Sequence, residues 1–440
     1  MKKTPISWAG IVRLGLVQTS LGAIVVMTTS TLNRIMVVEL ALPAMLPGFL
    51  VAIHYYVQIL RPRFGHGSDT GRARTPWIIG GMAVLGAGGV MAAAATALMA
   101  TSTTAGIVLA TIAFILIGAG VGASGTCLLV LLAATVDDRR RAAAASITWI
   151  MMIAGFAVTA GIIGAFLDPF SFQRLIVISA IVSSIALITT VLALGSIERR
   201  HAGFASKPEP RVAAHDFKSA IRDVMSESHT RRFAAFVFIS MLAYSAQDLV
   251  LEPFAGAVFG MSPGESTQLG GTQHGGVLLG MMLVAFIGYR LGDGRHSILR
   301  KCMIAGCLAS SLLLLVLAGS GYVSSDWPLH TNVGLLGIAN GVFAVAAIGS
   351  MMGLVSKGHR QRDGVRMGVW GAAQAIAFGL GGMIGTLSVD VVRWLTDSAL
   401  YAYSLVFLAQ AALFASAAFL AAELSRQPAL ASNKAIGAEA

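Results

Sequence analysis

Charged residues are scarce in this chain, and their scarcity excludes an ordinary soluble protein. Asp, Glu, Lys and Arg make up 12% of the 440 residues, whereas hydrophobic residues make up 56%. The mean hydropathy of +0.78 is far above the balance of soluble domains. Because hydrocarbon does not hydrogen-bond to a bare backbone, spanning segments must be helices or closed barrels. The apolar runs are about 20 residues long, the length of a spanning helix.

Cysteine is equally rare, which limits the possible cross-links and metal sites. The three cysteines, Cys127, Cys302 and Cys307, are odd in number and form no Cys-x-x-Cys pair. Neither a disulfide framework nor a thiolate metal site is therefore indicated. We expect the thiols to pack among the helices, and we expect no protein-bound metal.

The apolar runs predict twelve transmembrane helices with both termini in the cytoplasm. With the N-terminus inside, all but three of the 31 Lys and Arg residues lie at inner helix ends, in the central loop or in the tail; the exceptions are Arg34, Arg174 and Arg393. This bias follows the positive-inside rule and accounts for the basic residues without nucleic-acid binding. The predicted spans are residues 11–32, 43–61, 77–98, 106–134, 146–167, 174–195, 233–259, 271–290, 298–320, 332–355, 367–390 and 400–422.

One long polar stretch divides the spans into two groups of six. Residues 196–232 are rich in Arg, Lys and His, and we interpret them as a cytoplasmic linker. The linker would join an N-terminal six-helix bundle, residues 1–195, to a C-terminal bundle, residues 233–424. Residues 425–440 would form a cytoplasmic tail.

The loops after spans two and eight resemble each other in their glycines and charges. The first resembles the Gly-x-x-x-Asp-x-x-Gly-Arg loop of the major facilitator superfamily. Gly65 and Asp69 match that pattern, whereas Gly71 and Arg72 come one residue early. The resemblance implies an all-α membrane protein of the major facilitator superfamily fold, with twelve transmembrane helices in two pseudo-symmetric six-helix bundles.

Several of these loop residues are candidates for a conformational role. Asp69 is able to cap the next helix and to pair with the arginine run that contains Arg139. Breaking such a charge cluster would release one bundle from the other. The alternative is that the arginines only set the topology. The candidates are Gly65, Asp69, Arg72, Arg139 and Asp293.

Two matching groups of polar residues lie near the outer ends of spans one and seven. Each group has an amide, a charged residue and a Glu, with a proline close behind. Ionisable side chains at membrane depth are costly unless they are paired or hydrated, so we interpret these as gating residues. We expect Arg34 to pair with Asp248 or Glu252. The groups are Asn33, Arg34 and Glu39 in span one, and Gln247, Asp248 and Glu252 in span seven.

Five stretches of the sequence resemble the PucC-like family of photosynthetic bacteria, a branch of the major facilitator superfamily. They are residues 31–43, 46–55, 65–69, 74–78 and 247–256. The second is most similar to the branch that contains an accessory chain of bacteriochlorophyll synthase. The resemblance implies a protein of the bacterial cytoplasmic or intracytoplasmic membrane. It would receive bacteriochlorophyll or a precursor from pigment-synthesis enzymes and pass it to light-harvesting polypeptides, in contact with membrane lipids.

A pigment would need a ligand within the spans. A neutral imidazole suits the axial position of a tetrapyrrole magnesium, and His54 is the preferred candidate because nearby aromatic residues suit a flat ring. The alternative is that these side chains only hydrogen-bond inside the bundle. The candidates are His54, Tyr55, Gln58, His274 and Gln374.

Two other functions stay open. A proton-coupled small-molecule transporter would use Asp248 or Glu252 as its proton carrier. An enzyme of pigment esterification would need Asp-rich clusters that hold magnesium diphosphate. The adjacent pair Asp137 and Asp138 is instead followed by three arginines. The sequence therefore predicts no catalytic residue.

Overall fold

The computed structural model describes residues 5–61, 63–64, 73–201, 228–290, 295–323, 327–355 and 363–436. Over these residues the chain is almost wholly helical, and none of them is in a strand. We number the long helices in chain order. They are α1 Trp8–Glu39, α2 Met45–Val57, α3 Thr75–Met99, α4 Thr103–Thr135, α5 Asp138–Leu167, α6 Phe172–Leu194, α7 Ser228–Phe259, α8 Pro263–Arg290, α9 Arg295–Val323, α10 Leu329–Val355, α11 Asp363–Thr396 and α12 Ala399–Ile436.

Each of the twelve predicted spans coincides with one of these helices. Within the described ranges, eleven helices are long and apolar enough to cross a membrane. The exception is α2, which together with its final 3₁₀ turn runs over Met45–Leu60. A helix of this length rises about 24 Å, somewhat less than the hydrocarbon core of about 30 Å. The chain is thus a multi-pass membrane protein.

Helix α1 is longer than the sequence predicts. The predicted span ends at residue 32, before Asn33 and Arg34, but the helix continues to Glu39. Both polar side chains are buried and bonded to protein groups, so they do not require the chain to leave the membrane. The continuation contains two π turns, Met27–Thr31 and Ile35–Glu39. The helix ends before Ala41, whose φ of 51° is left-handed.

The start of α8 also corrects the predicted boundary. The predicted span starts at residue 271, but the helix begins at Pro263. Ser262 and Glu265 form a reciprocal capping box there. The Ser262 amide donates to Glu265 Oε2 at 2.8 Å, and the Glu265 amide donates to Ser262 Oγ at 3.1 Å. This cap satisfies two amides of the first turn.

Other helices also exceed their predicted spans at polar ends. Helix α5 begins at Asp138 rather than at residue 146, and α11 extends to Thr396 rather than to 390. Helix α12 runs to Ile436 and so enters the stretch predicted as a tail. Hydropathy detects the apolar part of a helix and not its solvated turns, which explains these differences.

The described residues form two compact units. Unit 1 lies within Met1–Pro210, Asp248–Gly275 and Gly382–Ala399, and unit 2 within Arg211–Gln247, Gly276–Gly381 and Leu400–Ala440. The sequence division into bundles at the 196–232 linker stays a prediction. Residues 202–227 of that linker lie outside the described part of the chain.

Close helix contacts in both units depend on glycine. In unit 1, α3 and α4 pack so closely that a Cβ on Gly120 would lie 2.6 Å from the Leu85 amide nitrogen. In unit 2, a Cβ on Gly341 of α10 would lie 2.1 Å from the Val277 carbonyl oxygen of α8. Small residues let helix backbones approach in this way within a membrane.

Candidate functional site

Arg34 is the most deeply buried cation described in unit 1, and its partners differ from the prediction. Its side chain is 2% exposed; Nη1 donates to Glu39 in an ion pair, and Nη2 donates to the Met261 carbonyl oxygen at 2.6 Å. The predicted ion pair with Asp248 or Glu252 is therefore wrong. In a π turn the backbone hydrogen bond joins residues five positions apart. The turn Ile35–Glu39 therefore brings Glu39 close to Arg34.

Glu252 of α7 is a buried carboxylate with one free oxygen. It is 1% exposed, and Oε1 accepts a hydrogen bond of 2.7 Å from Ser30 Oγ of α1. Its Oε2 has no hydrogen-bond partner among the described residues. Gly270 leaves the space that Glu252 occupies, since a Cβ there would lie 2.5 Å from Oε1. The hydrogen bond from Ser30 was not predicted, because nothing in the sequence links a serine 222 positions away.

Two further predicted gating residues belong to the same part of unit 1. Asn33 Nδ2 donates to the Leu249 carbonyl oxygen of α7 at 2.6 Å. Asp248 is half-buried, and its Oδ1 accepts from Gln273 Nε2 of α8 at 3.2 Å. Unit 1 thus gathers five of the six predicted gating residues on α1 and α7, although their gating role stays a prediction.

Gln247, the sixth predicted gating residue, belongs to a hydrogen-bond chain in unit 2. Its Oε1 accepts from Asn340 Nδ2 of α10 at 3.1 Å. Asn340 Oδ1 in turn accepts from Ser310 Oγ of α9 at 2.9 Å. All three side chains are buried. Neither Asn340 nor Ser310 was predicted, because single polar residues in apolar spans carry no spacing signal.

The imidazole of His54 is buried within α2. Its Nε2 lies 3.0 Å from Gln58 Nε2, and Gln58 Oε1 accepts from Arg61. Tyr55 contacts the imidazole edge-on with ring centroids 4.8 Å apart. The ring is 1% exposed, and its Nδ1 has no partner in the described structure. A free nitrogen suits a metal-bearing pigment chemically, but this burial leaves no face open to a large ring.

The other two predicted pigment ligands have separate surroundings. His274 of α8 is buried and packs edge-on against Phe156 of α5, with ring centroids 5.1 Å apart. Gln374 lies half-buried in α11 of unit 2. Their roles stay predictions.

An apolar groove in unit 1 is accessible to a hydrophobic group, whereas the His54 ring is buried. Its volume is about 340 Å³, and its lining is almost entirely apolar. Pockets that hold small molecules typically measure about 300–1,000 Å³, so the groove is large enough for part of such a ligand. Gly80 of α3 forms an open part of its wall, since a Cβ there would meet no atom within 4 Å. The lining residues are Phe64, Pro76, Trp77, Gly80, Gly81, Val84, Ala119, Gly120 and Ala123.

The sequence prediction of the pigment site did not include this groove. Its walls come from the start of α3 and the middle of α4, and small residues there are individually unremarkable in a chain with 50 glycines. A usable signal is the sequence of Pro76 and Trp77 followed by Gly80 and Gly81 at the start of an apolar helix.

The predicted conformational residues fall mostly in two predicted loops, and Arg139 alone falls in a described helix. Gly65, Asp69, Arg72 and Asp293 lie outside the described residues. Arg139 falls in the first turn of α5. The role of these five residues stays a prediction.

The fold is that of the major facilitator superfamily. A bacterial homologue of the human lysosomal transporter Spinster, in an inward-facing and occupied conformation, matches with a TM-score of 0.70 over 94% of this chain and 96% of its own, at 13% identity. A POT family transporter in complex with a thioalcohol-conjugated peptide matches with a TM-score of 0.69 over 95% and 96%, at 15% identity. These likenesses establish the fold.

Residues 31–429 match the family described as PUCC protein, and the chain belongs to that family. It is 50% identical to the bacteriochlorophyll synthase 44.5 kDa chain of Rhodobacter capsulatus, over 94% of this chain and 95% of that one. It is 26% identical to Protein PucC of Cereibacter sphaeroides, over 93% and 90%. The resemblance predicted from the sequence is confirmed, and so is the link to photosynthetic bacteria.

Proposed function

We propose that this protein handles bacteriochlorophyll or a late precursor in the bacterial cytoplasmic or intracytoplasmic membrane. It takes the pigment from synthesis enzymes and delivers it to light-harvesting polypeptides. The observation that carries this proposal is the 50% identity, over nearly the full length of both chains, to a protein named as a chain of bacteriochlorophyll synthase. The major facilitator fold suits a carrier better than a synthase.

The groove beside α3 and α4 is the proposed place for the hydrophobic part of the pigment. Its apolar lining suits a hydrocarbon tail or ring face, and Gly80 lets a flat group approach the helix backbone. We therefore place the pigment in this groove rather than at His54.

The proposal also includes the orientation of the chain in the membrane. Both termini, the linker 196–232 and the tail 425–440 are cytoplasmic, and the bundles 1–195 and 233–424 form the two halves of the carrier. The positive-inside bias of the basic residues supports this orientation. The protein itself catalyses no reaction in this proposal.

An absorption spectrum tests the proposal. The full chain is purified gently from pigment-replete membranes, and we expect a far-red band. Gly80→Leu fills the groove and should remove most of that band. Gly319→Leu is the matched control, because a Cβ on Gly319 would likewise meet no atom within 4 Å, but this glycine lies in α9. A colourless wild-type sample would contradict pigment handling, and a band lost only in His54→Ala would move the site to His54.

A proton-coupled transporter is the second candidate, and Glu252 favours it. A buried carboxylate with an oxygen that has no described partner is a suitable place to take up and release a proton. Vesicle uptake of a small solute driven by a pH gradient, and abolished by Glu252→Gln, would support this candidate. Uptake that ignores the pH gradient would exclude it.

A further inference from the structure

Asp168 holds the first turn of a neighbouring helix in unit 1. It follows directly after α5, and its Oδ2 accepts a hydrogen bond of 2.6 Å from Ser262 Oγ. Its Oδ1 accepts one of 3.2 Å from the Gly264 amide. Both donors lie at the start of α8. A carboxylate at this position also interacts favourably with the positive end of the helix dipole.

Asp390 makes the same type of contact elsewhere in unit 1. It lies in α11, and its Oδ1 accepts a hydrogen bond of 2.8 Å from the Ala44 amide. Its Oδ2 accepts one of 2.7 Å from the Met45 amide. Both donors lie at the start of α2. Neither aspartate's contact was predicted from the sequence, because each aspartate contacts residues at least 94 positions away.

The helical turn before each aspartate packs closely against the helix that the aspartate caps. Gly164 precedes Asp168 by four residues, and a Cβ on Gly264 would lie 2.5 Å from the Gly164 carbonyl oxygen. Thr386 precedes Asp390 by four residues, and a Cβ on Gly48 would lie 2.0 Å from Thr386 Oγ1. Residues four apart share one helix face. Each contact surface therefore combines a tight small-residue contact with a carboxylate cap.

The two contacts occupy equivalent places in the chain. Helices α5 and α11 are six helices apart, and so are α2 and α8. The fold therefore builds the same carboxylate cap twice, once from α5 to α8 and once from α11 to α2. The topology predicted from the basic residues puts both caps at the periplasmic ends of these helices.

The starts of α8 and α2 depend to different degrees on the aspartates that cap them, Asp168 and Asp390. Helix α8 already has its own capping box of Ser262 and Glu265. At the start of α2, by contrast, the N-cap residue is Ala44, whose side chain makes no capping hydrogen bond. The amides of Ala44 and Met45 therefore depend on Asp390. Loss of Asp390 should weaken its contact more than loss of Asp168.

We propose that Asp168 and Asp390 are paired latches that close the periplasmic end of unit 1. In this structure, each carboxylate joins two helices through charge-assisted hydrogen bonds. When the helices separate, water replaces these bonds at both the carboxylate and the helix end, so the latches open without a large penalty. The device is independent of the cargo.

Distance measurements between spin labels test the latches in the full chain in lipid vesicles. The three cysteines are replaced by alanine, and labels are attached at Phe49 and Val391, exposed positions on α2 and α11. Asp390→Asn keeps the side-chain shape but removes its charge. We expect a second, longer distance whose population rises about tenfold, the equivalent of one charge-assisted hydrogen bond.

Matched variants separate the latch from a general loss of structure. Asp397→Asn removes an exposed charge near the same end of α11 and should leave the distances unchanged. For the other latch, labels at Phe166 and Thr272 report on α5 and α8. There Asp168→Asn should lengthen the distance less than Asp390→Asn does in its pair. Gly264→Ala should lengthen it without changing charge, because its Cβ would lie 2.4 Å from Asp168 Oδ2.

The outcomes decide the proposal in either direction. Wild-type distance distributions in both folded Asn variants would overturn it, and so would an equal change in Asp397→Asn. If Asp390→Asn does not fold, Asp168→Asn carries the test, because the capping box of α8 remains intact in that variant. Retained short distances in it would then overturn the proposal.

Discussion

Arg34 and Glu39 form an ion pair within one helix although they are five positions apart. In a regular α-helix a residue five positions further along the chain points about 140° away from the first. The pair exists because α1 widens into a π turn over Ile35–Glu39. Because Nη1 donates to Glu39, Nη2 of Arg34 is available to donate to the Met261 carbonyl oxygen. This hydrogen bond joins α1 to the segment between α7 and α8.

Removing Glu39 should destabilise the protein through Arg34. Glu39→Gln would leave a guanidinium that is 2% exposed without its counter-ion. We expect a loss of about 2–3 kcal/mol, below the range for a fully buried pair because Glu39 is 34% exposed. Thermal unfolding followed by circular dichroism measures the loss. Glu423→Gln on α12 is the control, and equal unfolding temperatures for both variants would refute the role of the pair.

Two glycines on α8 should respond oppositely to alanine. Gly270→Ala places a Cβ 2.5 Å from Glu252 Oε1 and disturbs the hydrogen bond from Ser30. We expect destabilisation by about 1–3 kcal/mol. Gly275→Ala meets no atom within 4 Å and should stabilise the helix by up to about 1 kcal/mol. Thermal unfolding of the two variants side by side provides the comparison; the same sign for both would show that Gly270 is not reserving space for Glu252.

Glu198 should protect the first turn of α3 from hydrogen exchange. It lies in the short helix Ile197–His201 and accepts from the Arg74 and Thr75 amides at 2.6 and 2.7 Å. Glu198→Ala removes a cap worth about 1–2 kcal/mol. Exchange of the amides in that turn should therefore accelerate about tenfold or more. Amides in the middle of α3 serve as the internal control, and unchanged exchange at Thr75 would contradict the capping role.

The hydrogen-bond chain of unit 2 should contribute to stability through Asn340. Asn340→Leu leaves the buried Gln247 and Ser310 without their shared partner. Hydrogen bonds between membrane helices contribute about 0.6–1.7 kcal/mol each, so we expect a loss of about 1–3 kcal/mol in unfolding by detergent. Asn332→Leu on the same helix is the matched control, since its amide makes only a 3.4 Å contact to Leu313. A larger loss in the control would contradict this account.

The fold was predictable from the sequence because two independent signals agree. Apolar length located the helices, and the stretches around Asn33 and Gln247 identified the family. Helix ends were less predictable, since local contacts decide them. The capping box of Ser262 starts α8 eight residues earlier than hydropathy indicates.

The sequence identified residues of the candidate site but not the contacts that they make. The energetic cost of an ionisable side chain at membrane depth correctly identified Arg34 and Glu252 as buried groups. Their partners could not be deduced, because Ser30 and the Met261 carbonyl carry no distinctive signal. Likewise, a carboxylate at the end of a helix, such as Asp168, looks like an ordinary solvated residue until its neighbour is known.

The two π turns of α1 have a consequence for any comparison of this helix with a regular one. Each π turn accommodates one residue more than an α turn, and one residue corresponds to a rotation of about 100°. Deleting a single residue within Ile35–Glu39 would turn this π turn into an α turn, and the residues before and after it would keep their faces. A regular α-helical pattern continued across either π turn would therefore assign the residues beyond it to a face about 100° from the one they occupy.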